Sequence, residues 1–109
     1  MSPFKLPLLA YAAICVNWAN AQSLTLTCEH WNANLGRLPD KTYLIDFGNR
    51  TCRGEPCQIS DSEFVWQMDA GSHEWRINRG TGDGTHVALL GGGKSQEIDR
   101  FKNCRESKS

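Results

Sequence analysis

Apolar residues recur at every second position along most of this chain, the period of β-strands that are covered on one face. Ser23 to Trp31 sets Leu24, Leu26 and Cys28 on one face and Thr25, Thr27 and Glu29 on the other. Thr42 to Phe47 repeats the pattern with Tyr43, Ile45 and Phe47, and Gly48-Asn49 then marks a turn. Asn32 to Lys41 reads as a polar loop, and Pro56 breaks Thr51 to Ile59 into short edge strands or a bulged segment.

The sharpest local expectation is a hairpin over Glu63 to Asn78. Phe64, Trp66 and Met68 alternate on the way out, and His73, Trp75 and Ile77 on the way back. The loop Asp69-Ala70-Gly71-Ser72 fixes the register, opposing Met68 to His73, Trp66 to Trp75 and Phe64 to Ile77. Continuing the same face opposes Ile77 to Val87 and Trp75 to Leu89 on the strand Thr85 to Leu90, which Gly91-Gly92-Gly93 ends. Residues 96–105 fit two patterns. Ile98, Phe101 and Cys104 are spaced like one face of a helix, but a final strand returning beside the first is preferred. The fold expected is all-β: about seven short antiparallel strands in a meander that closes into a barrel, or a twisted sandwich.

The first 21 residues do not belong to that pattern. Lys5 precedes an apolar run from Leu6 to Val16, and Ala19-Asn20-Ala21 is a small-x-small cleavage site, so cleavage is expected before Gln22. A membrane-spanning helix needs about 20 mostly apolar residues, and Asn17 ends this run early. Ile14 is too large for the position before a lipidated Cys15. The expected organisation is a signal peptide, 1–21, then one domain, 22–109. Export places that domain in the periplasm or outside the cell, with no stable membrane span after cleavage.

Removing the leader leaves Cys28, Cys52, Cys57 and Cys104, an even set that reads as two disulfides in an oxidising compartment. Four cysteines allow three pairings. The one favoured joins Cys28 to Cys104, first strand to last, and Cys52 to Cys57 across Arg53-Gly54-Glu55-Pro56. A domain this small buries only about 60–65% of its unfolded surface, so such staples matter. Zinc sites show two close Cys/His pairs where this chain has one, and a redox centre needs C-x-x-C, so no metal site is expected.

Charge argues against a nucleic-acid partner. The chain has 12 basic and 12 acidic side chains. Lys5 is the only charge in the leader, so the domain keeps 11 and 12, with no long basic run. The mixed tail Arg105 to Ser109 is expected to fray.

Ala88 to Ser95 mimics a phosphate loop ending Gly-Lys-Ser. Only fifteen residues remain from Ser95 onward to supply the helix and acid that such a loop needs, so it reads as a glycine turn. The turn Gly80 to Thr85 offers backbone N–H groups to an anion but is more simply a turn. His30, His73 and His86 lack metal-ligand spacing and read as strand-end packing. Asp46, Asp61, Glu63 and Asp69 are scattered, and there is no G-x-S-x-G elbow, so no catalytic residues and no cofactor are assigned. Two side chains suit binding: Trp31, opposite the Leu24/Leu26 face, and Arg76, pointing outward opposite Val65.

Leu26-Thr27-Cys28, Tyr43-Leu44-Ile45-Asp46-Phe47, Pro56-Cys57-Gln58-Ile59, Trp75 to Gly82 and the closing Cys104 together resemble a group of small, uncharacterised exported bacterial β-domain proteins. The resemblance implies an exported all-β domain and carries no catalytic residues with it.

The reading preferred on these grounds is a non-enzymatic binding or envelope-associated module. Its partner would be an envelope or extracellular protein, or a small molecule. The alternative is an inhibitor of a secreted enzyme such as lysozyme, although the Ser-Gly-x-x-Tyr loop of known inhibitor barrels is missing. An exported hydrolase ranks last.

Overall fold

The computed structural model of the protein describes residues 23–108, so the expected leader and cleavage site lie outside the described residues. Eight strands follow one another: β1 Ser23–Asn32, β2 Gly36–Asp46, β3 Thr51–Cys52, β4 Glu55–Ile59, β5 Glu63–Met68, β6 His73–Asn78, β7 Gly84–Gly91 and β8 Lys94–Lys108. Each pairs antiparallel with the next, and β8 returns to β1, giving a closed barrel. Among the described residues no helix is long and apolar enough to cross a membrane.

The meander and its closure are as the periodicity predicts, but there are eight strands rather than about seven. Arg53 and Gly54 both adopt positive φ, +56° and +79°, and turn Thr51–Ile59 into two short strands. Three other expectations are corrected. Asn32 to Lys41 is not a loop: β1 runs to Asn32, and β2 begins at Gly36 after a tight turn. A bulge in β2 opposite Cys28 and His30 lets the strand carry Pro39. The tail is paired strand as far as Lys108, where fraying was expected. Lys108 lies opposite Leu24 of β1, and Glu106 binds the Arg79 guanidinium at 2.8 and 2.9 Å.

The β5–β6 register is as expected, Met68 to His73, Trp66 to Trp75 and Phe64 to Ile77. The β6–β7 register is not. Trp75 faces His86 and Ile77 faces Gly84, while Val87 and Leu89 turn outward. Close approach explains the difference. A Cβ at position 84 would collide with the Ile77 Cδ1 and come within 2.9 Å of the Arg76 carbonyl oxygen. Only glycine lets β7 settle against Ile77, and that fixes His86, not Val87, on the inner face.

Side chains fill the interior. Leu26, Ile45, Phe64, Trp66, Ile77 and Phe101 are all essentially inaccessible to solvent. The Trp66 and Trp75 rings stack 5.9 Å apart and within 2° of parallel, and the Tyr43 ring meets Trp66 edge-on at 5.2 Å. Aromatic pairs of this kind add about 0.5–1.5 kcal/mol beyond their buried area. Arginines stack on aromatic rings toward both ends of this core. The Arg53 guanidinium lies 5.3 Å from the Trp75 ring, and that of Arg79 lies 4.5 Å from Phe64.

The disulfides are the favoured pair, Cys28–Cys104 and Cys52–Cys57. The first crosses the seam where β1 meets β8. There β8 carries an extra residue, and Asn103 adopts φ +51°. The second staples the β3–β4 hairpin.

Candidate functional site

Strand alternation turns His30 of β1, His73 of β6, His86 of β7 and Asp99 of β8 toward the barrel's inner face. They form a continuous chain. The His30 Nε2 lies 2.7 Å from Asp99 Oδ1, and the His86 Nδ1 lies 2.7 Å from Asp99 Oδ2. The His86 Nε2 lies 2.9 Å from the His73 Nδ1. The Asn32 amide donates to Asp99 Oδ1 at 3.0 Å. His30 and His86 are each only 8% exposed, so these bonds replace water rather than compete with it. Ring packing holds both imidazoles flat: His86 stacks on Trp75 at 3.9 Å, and His30 on Phe101 at 5.2 Å.

Asp99 reaches this position through a bulge. His86 faces Asp99 but Val87 faces Glu97, so Ile98 is the extra residue. Burial works to raise the Asp99 carboxyl. The hydrogen bonds from His86, His30 and Asn32 outweigh it and hold the group below the ordinary carboxylate range. Asp99 is therefore an ionised acceptor. Tyr43 lies on the same inner face, and its phenol is pushed up to about 12, chiefly by burial, against the pull of Arg53 and a hydrogen bond from Trp75. Among the described residues no three His, Cys, Asp or Glu side chains form a group that could hold a metal ion.

The histidines thus do more than pack at strand ends, and Asp99 escapes the sequence reading altogether. A partial signal was present: His30 shares the face of Cys28 and His73 that of Trp66, and buried imidazoles call for an acceptor, but the expected β7 register turns His86 outward.

The two binding candidates turn out to be neighbours on the outer face. One cross-strand row runs Val65, Arg76, Thr85, Arg100, Trp31, Arg37, each directly opposite the next. The Arg37 guanidinium lies 4.6 Å over the Trp31 ring. Arg76 is held by Glu63 at 2.7 Å, Arg100 by Glu97 at 3.1 Å, and Arg37 by Asp40 at 3.1 Å. A groove of about 510 Å³ beside Trp31 and a second of about 420 Å³ beside Arg76 share Arg100 and Lys102. Arg37 and Arg100 carry no strong sequence signal, because only the register brings them into line.

The other motifs are used internally. In the turn after β6, the Gly80 and Thr81 N–H groups donate to the Asn78 Oδ1, and that of Gly82 donates to the Asn78 carbonyl, which leaves little for an anion. Gly91, Gly92 and Gly93 all adopt positive φ and join β7 to β8, with a strand following where a phosphate loop has a helix. Cys28, Cys104, Cys52 and Cys57 all lie in the disulfides.

No protein-family model matches this chain, no curated protein matches it, and no solved structure matches it. The molecule is defined by its own features: a small eight-stranded antiparallel barrel with two disulfides, a His–Asp chain inside and an arginine–tryptophan row outside.

Proposed function

We propose that this protein is an exported, non-catalytic binding module whose contact surface is the outer row from Arg76 to Arg37. The observation that carries this reading is the alignment of Trp31 and Arg76 with Arg100 and Arg37 on one lateral line. Tryptophan and arginine are the side chains most often found as interface anchors. Export is supported by the leader pattern of residues 1–21 and is compatible with two disulfides. The filled interior turns attention from an enclosed ligand to the surface. Each arginine of the row already has a carboxylate partner, so the charge of the row is balanced. A protein surface of mixed charge, in the envelope or outside the cell, suits it better than a polyanion.

Capture from periplasmic extract, followed by affinity measurement on the purified partner, tests this. Trp31→Ala and Arg100→Ala should each weaken binding by about 30-fold, the loss typical of an anchor residue. Unchanged affinity in both variants contradicts the reading, as does wild-type protein that retains no partner under varied conditions.

A second reading, inhibition of a secreted enzyme such as lysozyme, is favoured by one observation. β7 and β8 continue as a hairpin beyond the last β1 pairing, with Leu90 59% exposed beside three glycines. Such a tip fits a cleft. A lysozyme assay with excess domain decides that version, since no inhibition removes it.

A further inference from the structure

The chain His73–His86–Asp99 has an inner end and an outer end. At the inner end Asp99 is an ionised acceptor, so the His86 Nδ1 carries a proton and donates to it. The His30 Nε2 donates to the other carboxylate oxygen. With His86 neutral, its Nε2 is a lone pair and accepts from a proton on the His73 Nδ1. That leaves the His73 Nε2 as a lone pair. Among the described residues this atom has no hydrogen-bond partner, and the Trp66 indole is the one buried side-chain polar atom left without one. The His73 Nε2 therefore reaches solvent.

We propose that these three residues form a proton relay. It turns the solvent-facing His73 Nε2 from a hydrogen-bond acceptor into a donor while the added charge is stored inside, on His86. One proton binds the His73 Nε2 from water. The proton on the His73 Nδ1 crosses the 2.9 Å gap to the His86 Nε2. His86 is then an imidazolium that donates to Asp99 through Nδ1 and to His73 through Nε2. His73 is neutral again, with its proton on the opposite nitrogen. One proton has entered, no hydrogen bond has been lost, and the charge of the trio rises from −1 to 0.

The surroundings favour this placement of charge. From β8, Asp99 attracts it toward His86. From β1, His30 and Asn32 bind the same carboxylate without taking up its bond to His86. From β2, Tyr43 stays neutral. From the β3–β4 turn, Arg53 sets a positive charge 5.3 Å from the Trp75 ring that stacks on His86, a repulsion that the Asp99 carboxylate, 2.7 Å from the His86 Nδ1, opposes. The inference does not depend on the outer row or on any partner there.

NMR of protein labelled with nitrogen-15 at histidine tests it, because two-bond nitrogen–proton correlations distinguish both tautomers and the imidazolium. On lowering the pH from about 8.5 to about 4.5, the first step should convert His86 to imidazolium. His73 should stay neutral and exchange its Nδ1 proton for an Nε2 proton at the same midpoint. Asp99→Asn should move that midpoint down by about one pH unit or more, a tenfold loss of proton affinity. The relay is overturned if His73 itself becomes the imidazolium in that step, if the two rings titrate at separate midpoints, or if a folded Asp99→Asn protein titrates as wild type does. If the variant does not fold, the tautomers of the wild-type protein decide alone.

Discussion

Tyr43 is sealed between Trp66 and Phe101, and removing a phenolate from water costs far more than removing a phenol. Burial, helped slightly by Asp99, outweighs the opposing pull of Arg53 and the Trp75 hydrogen bond, and the group titrates near 12. A folded value above the unfolded value of about 10 gives stability that is full below pH 10 and lost as the pH rises through about 12. Tyr11 falls in the segment expected to be cleaved, so Tyr43 would be the only tyrosine of residues 22–109. Its phenolate absorbance should appear near pH 12 or together with unfolding. Ionisation near 10 in a folded domain counts against the burial described. Asp99 has the opposite sign. Its folded carboxyl lies below the unfolded value of about 3.9, so its contribution is complete above that pH and is lost as the pH falls through the folded value. Asp99→Asn should cost about 1–3 kcal/mol at neutral pH by denaturant unfolding, from the partners it leaves unmatched. The cost should shrink as acid removes the wild-type charge. An equal cost at pH 7 and in strong acid would mean the carboxylate itself contributes nothing.

At the scale of elements, sequence legibility depends on whether a strand is regular. The β5–β6 hairpin is readable to the residue because its alternation is unbroken and its loop length fixes the register. β8 resists the same method. Bulges at Ile98 and near Asn103 each add one residue, so a two-residue period locally becomes three and imitates a helix. β7 is misread for a different reason: hydrophobicity favours Val87 and Leu89, but backbone approach at Gly84 decides. Gly84→Ala should therefore destabilise the domain by about 1–3 kcal/mol through overpacking against Ile77. Thermal unfolding measures this, and a neutral substitution would refute the close approach. In the hairpin, the stacked Trp66 and Trp75 should share one near-ultraviolet circular dichroism signal. Either Trp→Phe change should abolish it, whereas two independent signals would mean the rings do not touch.

For the whole molecule, closure ties the other features together. The inner polar chain exists only because β8 returns to β1 and brings Asp99 and His30 together, residues 69 apart in sequence. The same closure extends the outer row from Arg100 to Trp31. Single members of each site are legible from local pattern, Trp31 and Arg76 outside and His30 and His73 inside, but neither site as a whole is, because both are built from single residues on different strands. The cysteines were legible, because an even set in a small domain has few alternative pairings. In the chain-entropy model, Cys28–Cys104, spanning 76 residues, contributes about 4 kcal/mol and Cys52–Cys57 about 2.

Peptide mapping of the purified, non-reduced exported protein by mass spectrometry puts the closed barrel to its most direct test. The account predicts one cross-linked peptide joining Cys28 to Cys104, another joining Cys52 to Cys57, and no free thiol in a chain that begins at Gln22. Cys28 joined to either central cysteine, or a Cys104 that alkylates freely, would contradict it.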